Sequence, residues 1–195
     1  MSFTVDDNTV ASSPGAVEIS KNKFLDYFGF KGISWLRYSI LLSLKESYLY
    51  KSFGDDKIVF KFIGLKEQFR YGCLNPTVVV NSERGLIATH TNLAMTESVS
   101  VPVIKISKEP LHLIKNIKVT DGQQLPTVSL YQRNMEDDNA LSWKDFDPKI
   151  VNCFTDSIDD YNRLLTNLSK EQWFELYRGL ATIEDKLKEG LYFLE

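Results

Sequence analysis

Between Asn75 and Tyr131 the chain is a succession of short β-branched runs separated by turn residues. That alternation confines it to a fold built around a small sheet of short strands. Residues 77–80 and 86–93 flank Ser82-Glu83-Arg84-Gly85 and read as a hairpin. Residues 99–106 carry Pro102, which has no N–H to give to a ladder, so this strand belongs at an edge or starts there. Residues 113–119 and 125–131 flank Asp121-Gly122, a dipeptide that supplies the positive φ of a tight turn. Ahead of the block, residues 58–63 alternate and are rich in β-branched and aromatic side chains, so they read as one strand more. Strands this short and this close imply a mostly antiparallel sheet or a partly open barrel.

The flanks carry helical periodicity. Trp35, Leu36, Ile40 and Leu44 predict a helix over 34–50, stopped by Gly54-Asp55-Asp56. Ile158, Tyr161, Leu164, Leu165 and Leu168 make one apolar stripe, and Trp173, Leu176, Tyr177, Leu180, Ile183 and Leu187 a second, so a helical pair is expected over 156–190. Ser169 and Gln172 have the spacing of a capping box between the two, and Gly190 stands where a helix C-terminus favours a left-handed residue. Residues 132–155 read as an acidic loop. Residues 1–15, polar and ending in Ser12-Ser13-Pro14-Gly15, read as a flexible leader. The expected organisation is therefore one α+β domain over 16–195: an N-terminal helix, a β-rich core over 57–131, and a helical pair closing one side.

Composition narrows the function. A net charge of −3 and a pI near 5.5 argue against a general polyanion binder, so no nucleic-acid partner is expected. The first twenty residues hold Asp6, Asp7 and Glu18 and no apolar run, unlike a signal peptide. The most apolar stretch, residues 33–44, is interrupted by Ser34, Arg37, Ser39 and Ser43 and falls short of the roughly 20 apolar residues that cross a bilayer. The expectation is a cytoplasmic protein without membrane contact.

Catalytic groups are sparse. His90 lies in an expected strand with Thr89 and Thr91, and a base there would need a third group to orient it before it activated a hydroxyl. A hydrogen-bonded structural histidine accounts for it as well. His112 has no second histidine or cysteine at metal-ligand spacing. A thiol nucleophile would pair Cys73 or Cys153 with His90, yet Cys153 sits in the apolar run Ile150-Val151-Asn152-Cys153-Phe154, which disfavours the thiolate. Asp137-Asp138, Asp145-x-Asp147 and Asp159-Asp160 lack the glycine of a calcium loop, and no phosphate loop is present. No metal and no cofactor are expected.

What remains is charge segregation. Residues 136–160 hold eight acids against two bases, whereas Lys105, Lys108, Lys115 and Lys118 oppose only Glu109 across 105–118. A solvated acidic loop facing a basic strand edge would produce this with no function attached. The functional alternative is an acidic docking surface of Glu136, Asp137, Asp138, Asp145 and Asp147, with Trp143 and Phe146 as aromatic anchors. That reading makes the chain a non-catalytic protein-binding module, in physical profile like an immunity protein that neutralises a basic toxin. Two other classes stay open: a small-ligand-binding β-barrel, and an enzyme using His90 with a threonine or cysteine.

The run Asn75-Pro76-Thr77-Val78-Val79-Val80, with Ala88-Thr89-x-Thr91-Asn92-Leu93, Pro102-Val103-Ile104-Lys105-Ile106, Gly122-Gln123-x-Leu125-Pro126-x-Val128-Ser129-Leu130-Tyr131 and Trp143-x-Asp145-Phe146-x-Pro148, resembles an uncharacterised bacterial domain family over about residues 71–154. The resemblance implies a β-rich bacterial domain and brings no activity or catalytic residue with it.

Overall fold

The computed structural model describes residues 13–29, 56–96, 99–133 and 140–194. The expected helix over 34–50 lies outside them, as does most of the expected leader. In chain order the elements are α1 (Lys21–Tyr27), α2 (Asp56–Tyr71), β1 (Cys73–Asn81), β2 (Leu86–Asn92), β3 (Pro102–Lys108), β4 (Gln124–Gln132), β5 (Asp145–Ile150), α3 (Ile158–Asn167), α4 (Lys170–Thr182) and β6 (Gly190–Phe193). The six strands form one antiparallel sheet in the order β5-β4-β1-β2-β3-β6. The fold is α+β, with the sheet curled into a half-barrel.

The curl follows from distances. In a flat sheet β3 and β5, four places apart, would be about 19 Å from each other. Yet Lys105 Nζ of β3 donates to both carboxylate oxygens of Asp145 at 2.9 Å and to Phe146 O at 2.6 Å on β5. One lysine side chain spans the gap only if the sheet has folded round on itself. A second cross-link repeats the same 40-residue offset: Lys149 Nζ of β5 stands 3.6 Å from Glu109, just past the end of β3. Inside the curl, Thr77 Oγ1 is hydrogen-bonded to Thr89 Oγ1 at 2.7 Å and Thr127 Oγ1 at 2.8 Å, the cross-strand pairing that suits threonine.

The sequence-based hairpin is β1/β2, paired Thr77 to Thr89. Pro102 opens β3, where a missing N–H costs least, and Pro148 sits in the edge strand β5. Four expectations are corrected. Residues 58–63 are helical, because Phe62, Leu65 and Phe69 make one buried stripe at helical spacing. Gln68 on α2 donates to Val128 O and Asp147 O, both at 2.8 Å, and ties the helix to β4 and β5. Residues 113–119 are not a strand: a single 3-10 turn, Leu111–Leu113, leads into irregular chain whose Ile114, Ile117 and Val119 pack on the core without a ladder. Gly122 has the expected positive φ, 79°, but its N–H docks on Val79 O at 2.8 Å and hands the chain to β4, so the turn closes no hairpin. Finally, α4 ends at Thr182, and Gly190 opens a strand.

Among the described residues the core has three parts. The largest lies between α1, α2, α3 and the sheet, where Phe154 packs its ring against Phe69 and Tyr27. On the sheet's α4 side, Val78, Ala88, Ile104 and Ile106 meet Leu176 and Ile183. The third, Leu93, Val103, Trp143 and Phe146, fills one end of the curl. The capping box at α4 is complete, Ser169 accepting from Gln172 N while Gln172 accepts from Ser169 N. Ser169→Ala should therefore lower stability by about 1 kcal/mol in chemical denaturation. Gly72, joining α2 to β1, lies so close to other backbone that a Cβ would stand 2.5 Å from Gln68 O and 2.7 Å from Ser129 O. Gly72→Ala should cost about 1–3 kcal/mol, the usual range for overpacking, with an unchanged melting curve as the result that would contradict it.

Candidate binding surfaces

The acidic segment is reached first. Glu136, Asp137 and Asp138 lie outside the described residues. Trp143 and Phe146 do not stand on the surface: they are 8% and 0% exposed, with Tyr131 stacked on Trp143 at 5.9 Å between ring centroids. They cannot serve as rim anchors, because β5 continues the sheet and its inward positions alternate, burying Phe146, Pro148 and Ile150. Trp143 is held there by its backbone N–H, which donates to Leu93 O at 2.8 Å. The outward acids are already occupied within the chain: Asp145 by Lys105 and Asp147 by Lys149, each at 2.9 Å. The basic strand and the acidic strand seen in sequence thus face each other across the curl.

At the far end of that seam, Glu109 is buried and accepts a short hydrogen bond from Tyr27 OH of α1, while Lys149 supplies the cation. Burial raises the Glu109 carboxyl above its ordinary value of 4.5, against the opposing pull of Lys149 and of the Tyr27 hydrogen bond. Burial pushes the Lys149 ammonium down, but Glu109 and Asp147 more than offset this and its pKa ends above the ordinary value. A cleft of about 500 Å³ lies beside the group, rimmed by Arg84, Lys108 and His112.

A second cleft, of about 290 Å³, lies between β1 and β2. The ladder between them stops at the Thr77–Thr89 pair, although Cys73–Pro76 still pairs with β4 and His90–Asn92 with β3. Pro76 has no N–H to give there, and ahead of it β1 pairs with the N-terminal segment instead, Leu74 N donating to Ser13 O at 3.1 Å and Pro14 bridging Cys73. The opening is lined by Cys73, Asn75, His90, Thr91 and Tyr131 among others. Asn75 Nδ2 donates to Thr91 Oγ1 at 2.9 Å, and Thr91 Oγ1 is bonded to Tyr131 OH at 2.6 Å. His90 and Cys73 therefore share a cleft, but the pleat puts them on opposite faces of the sheet, with Asn75 and Thr91 on the Cys73 side.

Neither cysteine is prepared as a nucleophile. Burial raises both thiols, Cys153 far more than Cys73. Burial lowers His90, with Glu175 and Arg178 as smaller opposed influences, so the imidazole is neutral at pH 7. Cys153 lies instead against Pro110 O and Glu109. Among the described residues, no group of three or more His, Cys, Asp and Glu is placed to hold a metal ion. Alkylation of the native protein should be slow at Cys73 and absent at Cys153 until the domain unfolds. Rapid labelling of Cys153 at neutral pH would contradict the burial described for it.

A third surface was not singled out in the sequence. Phe174 is 63% exposed on α4, Tyr177 is 42% exposed one turn along, and Phe193 at the end of β6 is 66% exposed. Arg178, four residues from Phe174, lines with Phe193 one shallow cleft of about 480 Å³. Sequence periodicity hid this set, because Tyr177 belongs to the apolar stripe of α4 and Phe174 sits beside it.

Residues 61–184 match the profile of the family described as protein of unknown function, DUF3239. The chain belongs to this family. A search of curated proteins finds no match. Among solved structures, the DUF3239 chain is similar to "a putative membrane protein from Corynebacterium diphtheriae", with a TM-score of 0.50 and 18% identity over 62% of this chain and 99% of that one. At that identity the likeness is one of fold. No helix among the described residues of the DUF3239 chain is long and apolar enough to cross a membrane.

Proposed function

We propose that this DUF3239 chain is a non-catalytic, cytoplasmic protein-binding module that docks its partner on the outer face of α4 and the end of β6. The observation that carries the reading is the exposure of Phe174, Tyr177 and Phe193, with Arg178 one turn from Phe174 and lining a cleft with Phe193. Aromatic residues and arginine are the types enriched in interface cores, and they dominate binding energy where they are desolvated. Large apolar groups clustered at a surface mark interaction sites more often than isolated ones do. The acids that had suggested a basic partner are in part neutralised by Lys105 and Lys149, so attraction of a basic toxin would depend on charges elsewhere. A toxin-neutralising immunity protein is one form of such a module.

The test uses Phe174→Glu and Phe193→Ser in the full chain. Both sites are exposed, so melting should stay within about 0.5 kcal/mol of wild type. A protein retained from lysate by the wild type should be lost by each folded variant. Equal retention by both variants would remove α4 from the interface. The membrane description of the Corynebacterium neighbour motivates one control: flotation of the wild type with lipid vesicles, abolished in the same variants, would make the aromatic face a lipid contact instead.

A further inference from the structure

We infer that the outer edge of β6 takes an added β-strand from the partner: an extended segment, basic where it passes the start of β6, pairs its main chain with Leu191 and Phe193. This rests on the docking reading above and names what docks. Leu194 N donates to Pro102 O at 3.0 Å, and β6 pairs with β3 in regular antiparallel register, Tyr192 opposite Ile104. Main-chain groups alternate sides along such a pair, so those of Tyr192 face β3 as Leu194 N does, and those of Leu191 and Phe193 face away from the sheet. Among the described residues, neither Leu191 nor Phe193 makes a main-chain hydrogen bond on that side. β6 ends the strand order, and Gly190-Leu191-Tyr192-Phe193 carries no charge and no proline. The opposite edge is guarded: Pro148 removes a donor from β5, and Lys105 covers Phe146 O at 2.6 Å. Proline and lysine are the usual guards of an edge, because a bare edge is a template for another strand, and β6 has neither.

The surroundings set the chemistry of the added segment. A cleft of about 600 Å³ is lined by β6 and by the turn that precedes it. Glu184, Asp185 and Glu189 line it against Lys188 alone, so the end near Gly190 is acidic. Phe193, at the other end, is exposed and would be covered by an apolar side chain of the added strand. Charge complementarity therefore selects a segment with basic residues beside Gly190 and β-branched or aromatic residues beyond them. A second copy of this chain fits less well. Its own β6 is uncharged, and its Arg178 is already paired with Glu175, so it would leave the three acids unmatched. Main-chain bonds supply the affinity of strand addition and side chains adjust the fit, which suits a short strand beside an open cleft.

The test is amide hydrogen exchange, read by nuclear magnetic resonance, in the full chain titrated with a capped peptide of two lysines followed by alternating valine and threonine. In the free chain the amides of Leu191 and Phe193 should exchange about tenfold or more faster than those of Tyr192 and Leu194, and saturating peptide should slow the first two by about tenfold. Glutamates in place of the lysines should weaken binding by about tenfold. Phe193→Pro removes one outward N–H and Phe193→Ser keeps it, so the proline variant should lose the peptide while the serine variant still binds it. Proline is tolerated at an edge position, and the Tyr192 and Leu194 amides report whether each variant keeps β6 in place. Slow exchange of Leu191 and Phe193 in the free chain would overturn the inference, assigning the edge to another segment of the chain or, where sedimentation gives a dimer, to a second copy. Unsaturated binding, binding that leaves the two amides unprotected, or equal binding of the glutamate peptide would overturn it too. The docking reading is judged separately by Phe174→Glu, which leaves β6 intact. A lysate partner lost by Phe174→Glu, yet held no more weakly by Phe193→Pro than by Phe193→Ser, would keep that reading and overturn strand addition.

Discussion

Phe146→Ala should destabilise the domain by about 3–5 kcal/mol, the range for deleting a fully buried large aromatic ring. The ring has three kinds of neighbour, and each would be disturbed. It fills the end of the curl with Leu93, Val103 and Trp143. It packs against Tyr131 at 6.3 Å between centroids. Lys105 Nζ lies 5.5 Å over its face on the way to Asp145. The loss should therefore exceed that of an isolated core phenylalanine only if Lys105 also disengages, which a Lys105→Met variant measures separately. Guanidinium denaturation of the two single variants and the double variant would show coupling. A near-wild-type midpoint for Phe146→Ala would mean that the ring is not core, and would restore it as a candidate anchor.

The same residue shows where the sequence was legible. Local chemistry was readable: Ser169 and Gln172 announce a helix start, Ser82 to Gly85 announces a hairpin, and Pro102 announces the start of β3, because each acts within a few residues of itself. Curvature was not readable. Nothing within 136–150 says that β5 will be brought round to face β3, so Trp143 and Phe146 looked like aromatic punctuation in an acidic loop and Asp145 and Asp147 looked free. Residues 58–63 failed for a related reason. A six-residue window of Ile58, Val59, Phe60, Phe62 and Ile63 fits either period, and only the longer spacing of Phe62, Leu65 and Phe69 separates helix from strand. The candidate surfaces were legible only in part: His90, Thr91 and Cys73 were singled out as chemistry, but Asn75 entered only as the start of the β-branched block, and its burial beside Thr91 depends on a ladder that stops at Thr77.

The second large effect concerns the Glu109 seam. Lys149→Met removes the cation from a buried carboxylate, and breaking a buried pair by deleting one partner commonly costs about 3–5 kcal/mol. The carboxylate can limit this by taking a proton, so the penalty must depend on pH. In the wild type the Glu109 carboxyl is raised by burial and held back by Lys149 and by the hydrogen bond from Tyr27. A group raised in the folded state favours folding at pH below its unfolded value, near 4.5, and that contribution is lost as pH rises through the folded value. Without Lys149 the folded value rises further, so the variant should lose stability across a wider span above pH 4.5 than wild type does. Urea denaturation at pH 5 and pH 8 should show a small deficit at the lower pH and the larger one at the higher. Adding Glu109→Gln should restore most of the stability at pH 8, because the amide needs no counter-ion and its carbonyl still accepts from Tyr27. A deficit independent of pH, or a double variant no more stable than Lys149→Met alone, would show that Lys149 acts through its packed stem and not by holding the charge on Glu109.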